Sequence, residues 1–306
     1  MLFKKQGLIF RPDLKTNIAQ KRVMVACPLK IDDRRLRLYC GFANQDNVMR
    51  ASFIDVDIND PSKLLDFQDQ AALDIGAPGM FDDNGLCPSS IIRHAGKIYM
   101  FYFAFQLTVK VPYLTFSGLA VSEDEGLTFK RLTVTPVLDR THTEPLMRSA
   151  PCVWYDEQAK LFKIVYSSAS SFKKIASGKL LQRYELFYQE SKDFRYWSDS
   201  GKLIITHSNE DEFGFGRPFY FKYNNKHLLF YSIRTQSSGY SLGYASTEDF
   251  ESWHRHDNLR GLNPGPQSWD NQNLSYPTLY QHRDKVYLFY CGNNLGDSGL
   301  GYATLC

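Results

Sequence analysis

Carboxylates recur a few residues ahead of short apolar or aromatic runs that open on a proline. Asp82 and Asp83 precede Pro88, Glu144 precedes Pro151, Asp211 and Glu212 precede Pro218, and Asp270 precedes Pro277. Opposed carboxylates are the reagents of glycosidic-bond cleavage: one, with a raised pKa, protonates the leaving oxygen while the other activates water or attacks the anomeric carbon. Arg148 and Arg217 stand in the same stretches, and Arg234 follows an aromatic run; a guanidinium grips carboxylate or phosphate oxygens as a fork. Trp269 and Asn271 flank Asp270, and His142 lies two residues before Glu144. Asp83, Glu144 and Asp270 are the candidate catalytic acids. Arg148, Arg217, Arg234, Trp269, Asn271 and His142 are the candidate substrate-binding residues. Asp82, Asp211 and Glu212 read better as turn residues or arginine partners, and Tyr276 reads as structural although it and Tyr240 could stack on a sugar.

Residues so far apart in sequence can meet only if the chain repeats. Prolines open strand-like runs at 28, 88, 151, 218 and 277, and an aromatic strand ends near Tyr39, Tyr102, Tyr166, Tyr231 and Tyr290, so two independent markers keep one period of about 60 residues. A third marker follows each aromatic strand, as in SGLAVSEDEGLTF (117–129) and SLGYASTEDFESW (241–253). Each unit reads as strand, turn, aromatic strand, loop, small-residue strand and an acidic hairpin to an outer strand, with no long 3.6-residue periodicity. This predicts an all-β fold: a five-bladed β-propeller with four-stranded antiparallel blades over about 20–75, 80–140, 145–206, 212–262 and 269–306, forming one domain from 1 to 306. The last unit stops after three strands, so the N-terminal segment 6–11 is expected to supply its outer strand and close the ring. Inner strands of a propeller line one channel, which is where the acids and arginines would converge.

Composition bounds the alternatives. The 306 residues are 43% hydrophobic and 15% aromatic, and 36 Lys+Arg stand against 33 Asp+Glu, a balance that does not point to nucleic acid or to a membrane surface. No stretch has the length of a signal or spanning segment, so the expected location is cytoplasmic without membrane insertion. The six cysteines form no CxxC pair, and GxSxG, Walker, Rossmann and HExxH patterns are missing, so neither a metal nor a cofactor is expected.

Ser122 to Phe129 resembles the Asp-box of sialidase-type propellers, and Asp193 with Trp197 and Asp249 with Trp253 repeat its Asp-to-aromatic spacing. These three aspartates are expected to be structural. The runs GMFDDNGLCPSSIIRHAGKIYMFY (79–102), TEPLMRSAPCVWY (143–155) and WDNQNLSYPTLYQHRDKVYLFYCGNNLGDSGLGYA (269–303) resemble the five-bladed propeller superfamily of glycoside hydrolase families 43, 32 and 130. Closer still, the chain is similar to uncharacterised bacterial propellers encoded with surface-polysaccharide biosynthesis genes, and to the propeller part of plant glucosamine inositolphosphorylceramide transferases.

The resemblance implies an acid on each of the first three blades. Asp83 matches the second and Glu144 the third, but the first has no match: Gln20, Lys21 and Arg22 stand there, and Asp32 and Asp33 fall in a hairpin. Asp270 would have to substitute. The arginines point to an anionic sugar or sugar nucleotide as ligand, and together with the resemblance this gives the expectation of a carbohydrate or sugar-nucleotide ligand and of cleavage or transfer at a glycosidic or sugar-phosphate linkage of an anionic glycan in bacterial surface-polysaccharide metabolism. The competing expectation is a non-catalytic sugar-binding or scaffold propeller. Two carboxylates facing each other across roughly 5–10 Å would favour cleavage, whereas dispersed acids, each locked to a cation, would favour binding.

Overall fold

The computed structural model describes residues 1–175, 178–257, 259–265 and 269–306. Its twenty strands fall into sets of up to four, in chain order. After β1 (Phe3–Phe10), the first set holds β2 (Arg22–Lys30), β3 (Arg35–Ala43), β4 (Met49–Asp57) and β5 (Asp60–Phe67). The second holds β6 (Leu86–His94), β7 (Lys97–Leu107), β8 (Tyr113–Ser122) and β9 (Lys130–Arg131), and the third β10 (Met147–Asp156), β11 (Leu161–Lys174), β12 (Leu180–Ser191) and β13 (Lys202–Ile205). The fourth holds β14 (Glu212–Tyr223), β15 (Lys226–Thr235), β16 (Gly239–Thr247) and β17 (His254–Arg255), and the last β18 (Ser275–His282), β19 (Lys285–Cys291) and β20 (Leu300–Leu305). Pairing within the sets is antiparallel. One parallel pair, Tyr184 with Gly214, joins the third and fourth sets into a continuous eight-stranded sheet. β1 pairs antiparallel with β20 and completes a sheet ordered β18-β19-β20-β1, beginning at Phe3, three residues earlier than the sequence suggested.

Local chemistry explains the repeat markers. In the second, fourth and last sets the first two strands are joined by two-residue turns, such as Ala95-Gly96 and Asn224-Asn225, all four residues at positive φ, as tight hairpins require. The strand carrying each repeat proline has a bulge at or just before it: between Met24 and Cys27, Pro88 and Ser90, Ser149 and Cys152, Gly216 and Phe219, and Ser275 and Thr278. Proline lacks the N–H that a ladder needs and is tolerated where a bulge has opened it. Four bulges hold a non-glycine residue at positive φ, at Val25, Ala150, Arg217 and Tyr276. A bulge re-aims side chains, and three of these four line the pocket described below.

The repeat tyrosines Tyr39, Tyr102, Tyr166, Tyr231 and Tyr290 are wholly buried. Tyr102, Tyr231 and Tyr290 each oppose a glycine on the third strand, Gly118, Gly243 and Gly301. A Cβ on Gly118 would stand 2.1 Å from the Tyr102 ring, so the small-residue strand is the space the tyrosine needs. Apolar clusters fill the gaps between sets. They join first to second, second to third, third to fourth, fourth to last, and first to last; in the last of these Phe42 and Ile54 pack with Phe10, Phe289 and Tyr302. Among the described residues no helix is long and apolar enough to cross a membrane.

The three turn aspartates bind their own hairpins. Asp124 accepts from the Ser122 hydroxyl at 2.7 Å and the Thr128 N–H at 2.9 Å, and Asp249 from the N–H groups of Glu251 and Ser252. Asp193 accepts from the Arg195 N–H and side chain. Burial pushes the Asp124 carboxyl up, but the hydrogen bonds from Thr128 and Ser122 outweigh it and hold the pKa at about 2, below the usual 3.8. A depressed carboxyl stabilises the fold above its unfolded pKa, and that contribution is lost as pH falls through the folded value. The melting temperature of Asp124→Asn is therefore expected to lie below that of the native chain at pH 5 and to converge on it toward pH 2. A gap that stays constant over that range contradicts this.

Candidate ligand pocket

The acids that precede the inner strands meet buried hydroxyls and cations of their own sheets. Asp82, fully buried, accepts from Tyr102 Oη at 3.1 Å and Arg131 Nε at 2.7 Å. Glu144 accepts from Tyr166 Oη at 2.7 Å and the Gly201 N–H at 2.9 Å, with Arg148 Nε 3.7 Å away. Asp270 accepts from Tyr290 Oη at 2.9 Å and from Lys5 Nζ at 2.6 Å, which ties β1 to the last set. In the fourth set Tyr231 donates to Asp257 at 2.8 Å, and Arg255 bridges Asp257 to Glu212. In the first set Tyr39 donates to the Gly126 carbonyl, beside the Arg37–Asp55 ion pair. A tyrosine, a carboxylate and a cation thus recur as a clasp that satisfies buried polar groups. Asp83 lies outside the clasps: half-buried, it accepts from the Gly79 N–H at 2.8 Å and from Asn84 at 2.7 Å, within its own turn.

The strand entrances converge instead on a pocket built from the second, third, fourth and last sets. Phe105, Tyr113 and Thr115 line one side, Met147, Ser149, Ser167, Gln182 and Tyr184 another, and Arg217, Arg234, Tyr240 and Tyr276 the rest, around about 90 Å³. No carboxylate is among its lining residues. Tyr184 and Tyr240 hydroxyls lie 3.4 Å apart, and Arg234 stands 5.9 Å from the Tyr240 ring. Burial pushes the hydroxyls of Tyr184, Tyr240 and Tyr276 up, so they stay protonated at neutral pH and can donate hydrogen bonds to a ligand. Gln182 is fixed by a 3.0 Å bond to the Tyr113 carbonyl.

Arg217 closes the bottom of this pocket. It is 1% exposed, and its guanidinium donates to the carbonyls of Ala26, Ser89 and Pro277 at 3.1–3.2 Å and to the Thr278 hydroxyl, reaching the first, second and last sets. Its Nε has no partner. Its Nη2 also lies 3.2 Å from Cys27 Sγ, whose pKa burial raises against the opposing pull of Arg217. Beyond Arg217 the inner strands continue to a second opening of about 430 Å³, where Trp154 stacks on Tyr220 at 4.0 Å. Among the described residues neither Arg217 nor Arg234 has a carboxylate at ion-pair distance. Two guanidinium groups without a counter-ion leave the pocket positively charged.

Of the nine sequence candidates only Arg217 and Arg234 line the pocket. Glu144 and Arg148 share the third clasp, where Arg148 also donates to the Ser198 carbonyl at 2.9 Å. Asp270 sits in the last clasp. Trp269 stacks on Tyr290 with centroids 5.1 Å apart and packs into the core, while exposed Asn271 accepts from Asn293 at 2.7 Å. His142 is exposed. Tyr276, expected to be structural, lines the pocket. Gln182, Tyr113 and Tyr184 were not singled out from the sequence. The signal for Gln182 and Tyr184 was the length of the third set's hairpin, 14 and 12 residues per strand; Tyr113, at the start of β8 in the second set, had none. Among the described residues no three His, Cys, Asp or Glu side chains are grouped to hold a metal.

No protein-family model matches the chain. It is 27% identical, over its whole length and 99% of the relative's, to an uncharacterized protein of Mycobacterium tuberculosis. Among solved structures it superposes on a thermostable family-43 glycoside hydrolase with a TM-score of 0.69 at 19% identity, covering 94% of this chain and 90% of that one. The chain folds as a β-propeller. A second solved structure, an N-acetylgalactosamine deacetylase from F. plautii in complex with blood group B trisaccharide, superposes with a TM-score of 0.65 at 12% identity, covering 99% and 95%. A glycosidase and a deacetylase on one fold are a reminder that chemistry follows the site.

Proposed function

We propose that the chain is a single five-bladed propeller, closed by β1, and that it is a carbohydrate-active protein holding a sugar with a carboxylate or phosphate group in the pocket of Arg217 and Arg234. The apolar cluster shared by the first and last sets and the Lys5–Asp270 bond support the closed ring. The pocket's two unpaired guanidinium groups, set among tyrosines and Gln182, carry the ligand reading. The Arg234 guanidinium can fork onto carboxylate or phosphate oxygens, while Arg217, whose Nη groups are held by carbonyls, adds its charge and its free Nε, and tyrosine rings and hydroxyls suit a ring that is apolar on its faces and polar at its edge. Acid–base cleavage would need two of Asp83, Glu144 and Asp270 on one ligand. Each is instead held by groups of its own surroundings, which favours recognition over hydrolysis.

Calorimetric titration with glucose, glucose 6-phosphate and galacturonate tests this. At least one charged sugar is expected to bind tenfold or more tightly than glucose; equal affinity for all three removes the proposal. The acids supply a second test. Asp83→Asn is expected to leave the melting temperature unchanged, whereas Glu144→Gln and Asp270→Asn lower it, because each weakens a buried charged hydrogen bond of about 1.5–3 kcal/mol. All three are expected to keep the ligand affinity. Loss of turnover on an aryl glycoside in folded Asp83→Asn and Glu144→Gln would instead establish hydrolysis.

A further inference from the structure

Two hairpins rise beyond the pocket, and their charges are sorted by face. On β8, Tyr113 and Thr115 line the pocket; Tyr113 pairs with Leu107 of β7, so Leu107 shares that face and is 61% exposed. On β12, Gln182 and Tyr184 line it; Gln182 pairs with Phe172 of β11, and Lys174, two residues further, continues the same face. The Gln182 bond to the Tyr113 carbonyl ties the two hairpins side by side. Lys110 lies in the connection beyond Leu107 and Lys179 in the connection beyond Lys174. Lys110, Lys174 and Lys179 are exposed, and among the described residues none has an ion-pair partner. Lys173, on the opposite face of β11, is paired with Glu210 at 3.0 Å. Unpaired cations therefore sit on the pocket face and at the tips, and the paired one faces away.

We infer that these lysines form a second anionic subsite above the pocket, so that the ligand is an acidic oligosaccharide longer than one sugar. The inference rests on the pocket reading given above. At about 3.3 Å per residue, two to three residues past Gln182 place the second charge roughly 7–10 Å from the pocket wall. That is about one screening length at physiological salt and less than one at 50 mM, so the lysines act together with the pocket on a single ligand. Leu107 gives the intervening sugar an apolar surface. Charge at two separated points, not one, then sets which ligand is held.

Calorimetry with galacturonate and trigalacturonate, on the full chain, decides it. In 50 mM salt the trimer is expected to bind at least tenfold more tightly than the monomer. In the Lys110→Ala/Lys174→Ala/Lys179→Ala variant, and in the native chain at 500 mM salt, that advantage is expected to fall to about twofold or less. Monomer affinity is expected to be the same in the triple variant and in the native chain. Equal affinity for monomer and trimer in the native chain, or an advantage that survives the triple substitution, overturns the subsite and leaves the pocket reading standing. Failure of the native chain to bind either uronate removes the subsite, and failure of glucose 6-phosphate as well removes the pocket reading with it. UDP-glucuronate, run in parallel, separates the two sources of a second negative charge: an advantage for it that the lysine substitutions remove supports the subsite and names a nucleotide as its source.

Discussion

Replacing Arg217 by methionine is expected to cost about 3–5 kcal/mol of stability, the largest loss among single changes at the pocket. The estimate follows from what the guanidinium touches. It holds three backbone carbonyls from three different sets together with the Thr278 hydroxyl, all in the closed interior. A buried carbonyl left without a donor costs about 1–3 kcal/mol, and methionine restores the packing but none of the bonds. For a chain of this size each kcal/mol moves the melting temperature by about 2–4 °C, so a fall on the order of 10 °C is expected in a thermal melt. Arg217→Lys keeps the charge but cannot fork to carbonyls on opposite sides, so an intermediate loss is expected. By contrast, Arg195, whose ion pair with Asp193 lies at the surface, should tolerate alanine within about 1 kcal/mol. A stability of Arg217→Met within 0.5 kcal/mol of the native chain would show that the contacts across the channel carry no weight.

Arg234→Ala is expected to behave in the opposite way, sparing the fold and removing the ligand. Arg234 contributes no ion pair among the described residues and touches the protein through its place over Tyr240 and a hydrogen bond to Tyr184, so the melting temperature should shift by less than about 3 °C. A charged hydrogen bond to the ligand is worth about 1.5–3 kcal/mol, which corresponds to roughly 10–100-fold in Kd. The loss should be confined to charged sugars, and Arg234→Lys should restore part of it, because an ammonium offers the charge without the fork. Titration of galacturonate into both variants reads this directly. Unchanged affinity in Arg234→Ala would move the anion contact elsewhere.

The sequence carried the fold further than the site, and the reason is physical. Repeat tyrosines and prolines mark positions that every set must fill in the same way, a buried hydroxyl and a bulge, so they return at a fixed spacing and can be counted. Pocket residues have no such obligation. Tyr276, Arg217 and Ala150 share the bulge position with Val25, yet only the first three line the pocket, and nothing in their neighbours' types announces it. The acids recur for a related cause. Asp82, Glu144 and Asp270 stand at one place in the repeat and there accept from the repeat tyrosines Tyr102, Tyr166 and Tyr290, and recurrence of that kind suits structure as well as chemistry. Arg131 and Lys5, which neutralise Asp82 and Asp270, come from far along the chain, so no local reading could pair them. Gln182 was hidden because it lies on a strand extension, where length alone carried the information.

The pairing of β1 with β20 sets a timetable for the newborn chain. β1 is made about 300 residues before its partner β20, since Phe3 pairs with Leu305. At about 5–20 residues per second that separation takes roughly 15–60 s to synthesise, and throughout that interval Phe3, Ile9 and Phe10, buried in the finished structure, have no β20 to pair with. An unpaired strand with apolar side chains is an invitation to other chains. The lysines at positions 4 and 5 therefore serve twice over the life of the molecule, as charges that discourage association before β20 is made and, in Lys5, as the bond that fastens β1 to the last set through Asp270.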